Sequence, residues 1–313
     1  MPDPVDASRL KEFEELRPLL FSIAYRMLGS VGEAEDAVQE TWLRYQTSAT
    51  RPVSPKAFLS SVVTRIAINE LRSARARREQ YVGEWFPEPL LEDPYQDPQR
   101  AAELAESVSM AALVLLERLT PVERAVFVLR DVFGFGFGEI SPIVERSEAA
   151  CRQVAVRARR HMEAGLPRFD ADRRAREQLA ERFFAAVVTG DVDGLRALLA
   201  ADVQLASDSG GNAPSLPRTV VGADNVARVL SSARAGLSQI GLTVETRELN
   251  GQPGALVRDQ AGRVLSVMVL DVLDARVQFI RTVINPHKLA HLGPVSDSWA
   301  VRAAYLRARA GRR

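Results

Sequence analysis

Residues 120–160 constrain the fold of this chain more than any other stretch. An amphipathic helix is predicted over 120–130, followed by a glycine- and phenylalanine-rich turn, a short helix from Glu139, a second turn and a basic helix from Ser147. That order of elements is typical of a helix-turn-helix, which places its last helix in the major groove of DNA. The sequence therefore predicts a DNA-binding domain in this region.

The basic helix has two different faces. Ala150, Val154 and Ala158 recur four residues apart and predict a packing stripe, flanked by Cys151 and Met162. The other face carries arginine and glutamine, which can bind guanine and adenine bidentately. The candidate DNA-binding residues are Ser147, Glu148, Ala149, Arg152, Gln153, Arg157 and Arg160. The alternative is a solvated basic helix in another kind of bundle.

Composition limits the class of protein. The chain has 313 residues, enough for two or three domains, and its net charge is only +1, so contacts with nucleic acid must come from local basic clusters. One cysteine, Cys151, excludes an internal disulfide and suits a reducing compartment. The sequence has no signal-peptide pattern and no membrane-length apolar run. We expect a cytoplasmic protein without a membrane partner.

A helix with an acidic face is predicted after a capping box at Ser30 and Glu33. Trp42 and Tyr45 lie on its packing stripe. The residues on the other side are Asp36, Gln39, Glu40 and Leu43. Acidic groups around an exposed leucine indicate a partner surface with basic residues and an apolar pocket. The alternative is an ordinary surface helix.

A second basic helix is predicted to begin at Ser54 and Pro55 and to end near Glu79. Its second half can follow a phosphate backbone, and its amide side chain can meet a base edge. The candidate residues are Arg65, Asn69, Arg72, Arg75, Arg77 and Arg78. The preceding loop, 46–53, lies near aromatic residues that could stack on an unpaired base, although Trp42 has the spacing of a core residue.

Four segments together resemble the two conserved domains of extracytoplasmic-function (ECF) sigma factors: 36–44 (DAVQETWLR), 55–59 (PKAFL), 65–72 (RIAINELR) and 119–127 (LTPVERAVF). The resemblance implies that the acidic helix binds core RNA polymerase. It also implies that the second basic helix and its loop melt and recognise the single-stranded −10 element, and that the helix from Ser147 recognises the −35 duplex.

Two residues depart from the family's pattern. Pro142 falls within the first helix of the helix-turn-helix, where an alanine-like residue is usual, and Glu145 occupies a turn that often holds glycine. Because proline removes a helical hydrogen bond, we expect these residues to tilt the recognition helix or to weaken binding to the −35 element.

The linker and the C-terminal part resemble one subgroup of these factors, the SigJ type, which carries a fused C-terminal domain. Three segments carry that resemblance: 85–89 (WFPEP), 208–212 (DSGGN) and 285–289 (NPHKL). The implied interdomain regulatory residues are Trp85, Phe86, Pro87, Glu88, Pro89, Asp208, Gly210, Gly211, Asn285, Pro286 and Lys288. Ser209, Asn212 and His287 differ from the subgroup's glycine, lysine and aspartate, which puts its salt bridges in doubt. The alternative is a turn and a strand end without a regulatory role.

Beyond residue 172 the pattern predicts helices followed by strands at 242–249, 254–258, 264–272 and 276–284. This order resembles the SnoaL-like branch of the NTF2 superfamily, whose cones can enclose a pocket. His161, His287 and His291 lie outside those strands, and we interpret Asp271 as an end-of-strand turn residue rather than an acid or base. No catalytic residue, metal ligand or cofactor is predicted.

The fold class predicted for the chain is therefore multidomain, with two all-α helical sigma domains followed by an α+β NTF2-like cone. Its predicted parts are 8–80 (sigma region 2), 81–108 (linker), 109–168 (sigma region 4), 172–292 (cone) and 293–313 (a basic tail). We expect residues 302–313 of this tail to be disordered; the alternative is a contact with DNA. We predict an alternative sigma factor whose partners are core RNA polymerase and promoter DNA, with activity modulated in cis by the cone.

Two other functions stay open at this point. The cone could be a sensor that binds an unidentified small-molecule ligand, or a remnant enzyme, attached to a sigma factor. The chain could also be a plain helix-turn-helix repressor, which would not need the acidic helix.

Overall fold

The computed structural model of the chain divides into two compact units. Unit 1 contains Met1–Gln80 and Asp93–Leu166, and unit 2 contains Tyr81–Glu92 and Pro167–Arg313. The structure describes residues 4–78, 81–165 and 173–310, with side chains left out at 4–6, 74–78, 102, 233–239 and 308–310.

Unit 1 is helical throughout its described elements. Its α-helices are α1 (Pro4–Leu28), α2 (Val31–Gln46), α3 (Pro55–Arg78), α4 (Ala101–Val108), α5 (Met110–Leu116), α6 (Pro121–Phe127), α7 (Phe137–Val144) and α8 (Glu148–Gly165). A single π-helical turn, Val128–Val132, follows α6. The first three helices pack on one another, and α3 also contacts α6 and α7. The prediction of two all-α helical domains, at 8–80 and 109–168, is confirmed for the described residues.

Capping residues mark the starts of α2 and α6, and the sequence predicts the first of them. The Ser30 hydroxyl accepts a hydrogen bond from the Glu33 amide, at 3.2 Å, before α2. The Thr120 side chain and Glu123 form a reciprocal capping box before α6. These short polar side chains satisfy amides that the first turn of a helix leaves without partners.

Unit 2 is an α+β domain, as predicted. Its helices are α9 (Arg173–Thr189), α10 (Val192–Leu198), α11 (Ala223–Gln239), α12 (Pro286–Leu289) and α13 (Ser298–Ala310). Its strands are β1 (Leu199–Asp208), β2 (Val220–Val221), β3 (Thr243–Leu249), β4 (Gln252–Arg258), β5 (Val264–Leu273) and β6 (Arg276–Val283). They form one sheet in the order β2-β1-β6-β5-β4-β3.

The sheet buries one face under helices. Strands β3 to β6 form the predicted antiparallel meander, and β1 runs parallel to β6 with Leu205 opposite Ile280. Phe183 of α9 and Leu230 of α11 are buried in the same apolar core as these two residues. The core therefore lies between the helices and one face of the sheet, which leaves the other face for a different covering.

Two expectations for unit 2 are wrong. Asp271 lies inside β5, paired with Phe279 of β6, and is not a turn residue after the strand. The tail that we expected to be disordered contains the helix α13. Contacts between α13 and α11 account for the second error, because a helix of 13 residues is only marginally stable by itself and gains stability from packing.

Asp259 joins the turn after β4 to the segment before α13 and gives the domain a pH dependence. It accepts hydrogen bonds from Ser296 Oγ (2.7 Å) and from Arg263 Nε (2.8 Å). Burial raises the pKa of this carboxyl, but the hydrogen bonds from Ser296 and Arg263 outweigh it and lower the pKa to about 2. A depressed carboxyl pKa stabilises the fold above the unfolded value of 3.8 and loses that contribution as the pH falls towards 2.

We therefore expect Asp259→Asn to lower the free energy of unfolding by about 1–2 kcal/mol near neutral pH, and by much less below pH 2. Urea unfolding of wild type and variant across this pH range measures the difference. Asp202→Asn, an exposed change in the same domain, is the control. A difference that does not vary with pH would contradict the assignment.

Candidate functional site

Helix α8 presents the predicted DNA-binding face to solvent. The seven predicted residues are all exposed: Ser147, Glu148, Ala149, Arg152, Gln153, Arg157 and Arg160. On the packing side Cys151, Val154, Ala158 and Met162 are buried. The Ser147 hydroxyl accepts a hydrogen bond from the Ala150 amide at 3.2 Å, which caps the helix. The arrangement leaves the hydrogen-bonding side chains of this face exposed, with Arg152 paired to Glu148 at 2.8 Å.

The two departures in the helix-turn-helix are accommodated by the fold. Helix α7 continues through Pro142 to Val144, so the proline does not break it. Glu145 ends the helix in the left-handed region, with φ at 56° and its amide bonded to the Ser141 carbonyl. Glutamate thus adopts the conformation that glycine adopts with less strain.

Glu145→Gly should therefore stabilise unit 1, by about 0.5–1 kcal/mol, because the left-handed conformation carries no Cβ penalty in glycine. Thermal unfolding measures the gain. Glu145→Ala, which keeps the Cβ, should show no gain and serves as the control. A loss of stability with glycine would show that the turn does not strain the backbone.

Helix α2 carries the predicted polymerase-binding residues on one side. Asp36 and Gln39 are exposed, Glu40 is half-buried and pairs with Arg44 at 2.8 Å, and Leu43 is 54% exposed. A leucine this exposed beside carboxylates has the composition of a binding surface. Trp42 packs against Phe13, with ring centroids 5.0 Å apart, as its core spacing predicts.

Three of the predicted −10 residues lie exposed on helix α3, and one of these, Arg65, is bonded to another helix. Arg65, Asn69 and Arg72 are exposed, whereas the side chains of Arg75, Arg77 and Arg78 lie outside the described part. Arg65 Nη2 donates to the Pro142 carbonyl at 2.5 Å, and its Nε donates to the Ile143 carbonyl at 3.4 Å. It thereby satisfies carbonyls at the end of α7, which belongs to the helix-turn-helix.

The loop 46–53 is held by α1. Arg9 donates to the carbonyls of Gln46 (3.0 Å) and Ser48 (3.1 Å). Tyr45 is fully buried against Phe58, so it is not available to stack on a base in this conformation. That aromatic residues near this loop bind an unstacked base stays a prediction, with half-buried Trp42 and Phe58 as its candidates.

Two buried arginines, which the sequence did not single out, join the two halves of unit 1. Arg26 of α1 is fully buried and donates to Ser107 Oγ (2.8 Å) and the Leu104 carbonyl (2.9 Å), and it pairs with Asp93 at 2.8 Å. Burial lowers the pKa of Arg26, and Asp93 opposes that effect.

Arg124 makes the second connection between the two halves of unit 1, from α6 to α1. It is 2% exposed and donates from Nη1 to the Met27 carbonyl at the end of α1 (2.6 Å) and to Glu117 (2.7 Å). Burial lowers its pKa. A buried charge with few partners is costly, so both contacts must persist for this packing to be stable.

Asp208 is the centre of a contact between the linker segment Tyr81–Glu92 and the sheet of unit 2. It is fully buried at the end of β1. Its Oδ1 accepts from the Tyr81 hydroxyl at 2.5 Å, and its Oδ2 accepts from the Phe86 amide and from Lys288 Nζ, each at 2.7 Å. Burial and the carboxylate together raise the pKa of Tyr81. Asp208 and Lys288 thus form a buried salt bridge that does not involve the three departing positions, Ser209, Asn212 and His287.

Lys288 completes this contact from α12. Its ammonium also donates to the Phe86 carbonyl and lies 4.3 Å from the Trp85 ring and 4.8 Å from the Tyr81 ring. Aromatic faces attract a nearby ammonium, so these rings stabilise Lys288 in its buried position. Asn285 caps α12 by accepting from the His287 amide, and Pro286 is the first residue of the helix.

The glycines of the 208–212 loop permit its close approach to the linker. Gly210 has φ at 55°, and a Cβ there would lie 2.5 Å from Asn285 Nδ2 and 2.8 Å from the Tyr81 hydroxyl. Gly211 has φ at 76°, and a Cβ there would lie 3.5 Å from Val82 Cβ. The structure therefore brings together the three predicted regulatory segments, all within unit 2.

Further linker contacts were missed by the sequence analysis. The Pro89 carbonyl lies 2.6 Å from His291 Nε2, which must therefore carry the proton. The Leu90 carbonyl accepts a hydrogen bond from the Asn250 amide at 2.7 Å, and the Leu90 amide donates to Asn250 Oδ1 at 2.9 Å. The Asn250–Gly251 pair is a strong hairpin-turn signal, but nothing local indicates that the turn also binds the linker.

Phe86 covers a buried ion pair on the sheet face opposite the helices. Asp271 is 1% exposed, accepts from Gln252 Nε2 at 2.6 Å and pairs with Arg281. The Arg281 guanidinium lies 5.9 Å from the Phe86 ring. Asp271 thus has a structural role under the linker, which accounts for its burial.

The described residues contain neither a metal-binding cluster nor a membrane-spanning helix. No group of three or more His, Cys, Asp or Glu side chains within them could hold a metal ion. None of the helices in that part of the chain combines the length and apolar character needed to cross a membrane.

The chain matches two family models, Sigma-70 region 2 over residues 13–77 and Sigma-70, region 4 over residues 109–162. It is 39% identical over 290 residues to the ECF RNA polymerase sigma factor SigJ of Mycobacterium tuberculosis, covering 89% of this chain and 92% of that protein. It is 29% identical over 293 residues to the probable ECF sigma factor SigI of the same species, covering 92% and 95%. The crystal structure of SigJ matches with a TM-score of 0.69 and 34% identity, covering 90% of this chain and 98% of that one.

Proposed function

This chain belongs to the ECF RNA polymerase sigma factors, and we propose that it directs core RNA polymerase to promoters under the control of its own C-terminal domain. In this proposal α2 binds the core enzyme, α8 recognises the −35 duplex and α3 recognises the −10 single strand. The protein acts in the cytoplasm, where the polymerase is, and has no catalytic activity of its own.

The exposed side chains of α8 support its proposed recognition of the −35 duplex. Arg152 and Gln153 are neighbours at the start of the helix, the part that enters the groove in helix-turn-helix proteins. On α2, the exposed Leu43 beside Glu40 and Asp36 supports binding to a basic surface with an apolar pocket. Family membership argues against a plain repressor, which would have no use for this surface.

The contact of Arg65 with α7 carries the regulatory part of the proposal. The −10 and −35 elements are centred about 25 base pairs apart, which is about 85 Å of B-form DNA at 3.4 Å per base pair. Arg65 of the −10 helix lies 2.5 Å from the Pro142 carbonyl, one helix before α8. With α3 and α8 this close, the −10 and −35 elements cannot be bound at the same time. In this proposal unit 1 is therefore a closed form that must open.

The linker segment limits that opening. It leaves unit 1 after Gln80 and re-enters it at Asp93, so its length sets how far the two helical halves can separate. Twelve freed residues give up to about 40 Å of reach, at about 3.4 Å per residue. Held by Asp208 and Lys288, the same residues are not free to extend to this length. In this proposal the C-terminal domain inhibits by keeping the linker from extending.

The packing of unit 2 favours this role over a ligand sensor or a remnant enzyme. Phe183, Phe184 and Leu230 are buried between the helices and the sheet, in the region where a cone would hold a ligand. On the face that carries Asp271, Phe86 of the linker lies 5.9 Å from its partner Arg281.

Run-off transcription with purified core polymerase over a randomised promoter library tests the proposal. We expect transcripts that share a −35/−10 pair at fixed spacing, and Arg152→Ala should weaken selection at the −35 positions. Arg228→Ala, an exposed arginine on α11, is the control. A full-length protein that does not bind core polymerase would overturn the sigma-factor proposal.

A further inference from the structure

The C-terminal helix α13 has a surface that the functions above do not use. Trp299 and Leu306 are 53% and 51% exposed. With Ala303 they are spaced four and three residues apart, and Ala310 continues the sequence spacing by four. Single exposed apolar residues are ordinary, but this spacing places them in one stripe along the helix.

The stripe has the pattern of a coiled-coil seam. The 4-3-4 spacing corresponds to a and d positions of a heptad repeat, with a large residue at each d position and alanine at each a position. Small residues between large ones let a partner helix approach closely and interdigitate. Helix α13 contacts α11, and Trp299 Nε1 donates to the Asn212 carbonyl at 3.2 Å, so the helix is anchored while Trp299 and Leu306 stay exposed.

Arginines flank the seam on both sides. In the same heptad frame Arg302 and Arg309 occupy g positions and Arg307 an e position, and residues 298–313 contain five arginines and no acidic residue. Arg302 and Arg307 are exposed, and Arg302 lies 6.0 Å from the Trp299 ring. Other arginines of unit 2, including Arg247 and Arg263, pair with carboxylates.

We propose that α13 is a docking helix for an acidic amphipathic helix of a partner protein, with apolar a and d residues and glutamate or aspartate at e and g. Charge decides against a second copy of α13, because arginine would face arginine across the seam. Apolar area decides against a membrane, because two large side chains bury too little to anchor a helix. The exposed centre of the stripe is apolar, which duplex DNA would not require.

Isothermal titration of the full-length protein tests this with two synthetic 21-residue helices, each with leucine at a and d. One carries glutamate at e and g, and the other carries lysine. We expect the glutamate peptide to bind at least about tenfold more tightly. Leu306→Asp should abolish binding, and the charge reversal Arg302→Glu/Arg307→Glu should invert the preference between the two peptides.

Arg228→Glu, the same charge change on α11, is the control and should keep the wild-type preference. Equal affinity for the two peptides, or a preference that the charge reversal leaves unchanged, would overturn the proposal. So would a dimer that Leu306→Asp dissociates, or binding to anionic vesicles or duplex DNA in place of the peptide. None of these outcomes depends on whether the chain initiates transcription.

Discussion

Asp208→Ala should release the linker segment and raise promoter-specific transcription by the full-length protein. The change leaves Lys288, 7% exposed, without its carboxylate and removes the acceptor for the Phe86 amide and the Tyr81 hydroxyl. Removing one partner of a buried ion pair costs about 3–5 kcal/mol. We therefore expect amide exchange of residues 81–92 to become at least about 100-fold faster, measured by hydrogen–deuterium exchange mass spectrometry.

Asp202→Ala, an exposed change on the same strand, is the control and should leave exchange and transcription unaltered. The double variant Asp208→Asn/Lys288→Met removes both charges and should recover part of the protection, because no buried charge is left unpaired. Faster exchange with unchanged transcription would show that the linker contact is structural only. Unchanged exchange would refute the role of Asp208 in holding the linker.

The second large effect is expected at Arg26. Arg26→Met should lower the free energy of unfolding of unit 1 by about 3–5 kcal/mol, because Asp93 loses its buried partner and the Leu104 carbonyl loses its donor. Urea unfolding followed by circular dichroism measures the loss. The matched control is Arg17→Met on the same helix, where the exposed pair with Glu35 should contribute about 0–1 kcal/mol.

Arg26→Met combined with Asp93→Asn should be less damaging than Arg26→Met alone, since the uncompensated carboxylate is gone. Equal losses in the single and double variants would show that packing, rather than the ion pair, accounts for the effect. In the proposed mechanism this ion pair also fixes the far end of the linker, so its loss and the loss of Asp208 should favour opening in the same direction.

Contacts formed over short sequence distances could be predicted. The helices α2, α3, α6 and α8 follow from apolar spacing and from capping residues such as Ser30 and Thr120, which act within three or four positions of themselves. The exposed face of α8 follows from the same spacing, because burying one stripe of a helix leaves the opposite stripe to solvent.

Errors arose where packing outweighs local pattern. Asp271 resembles a turn residue by type, yet Gln252 and Arg281 satisfy it inside a strand. The segment that forms α13 is too short to be a stable helix by itself, but its contact with α11 stabilises it. In both cases the partner comes from another element, and neither residue type nor periodicity identifies it.

By itself the sequence determined the family and the order of helices and strands. It also singled out the three segments that resemble the subgroup with a fused C-terminal domain: 85–89, 208–212 and 285–289. Only the tertiary structure decided how those segments meet, through one buried carboxylate, Asp208, which bonds Phe86 across 122 residues and Lys288 across 80. It also decided that Arg65 lies on α7 rather than free for DNA. The physical reason is that periodicity and capping are local, whereas the burial of a charge depends on partners brought together by the whole fold.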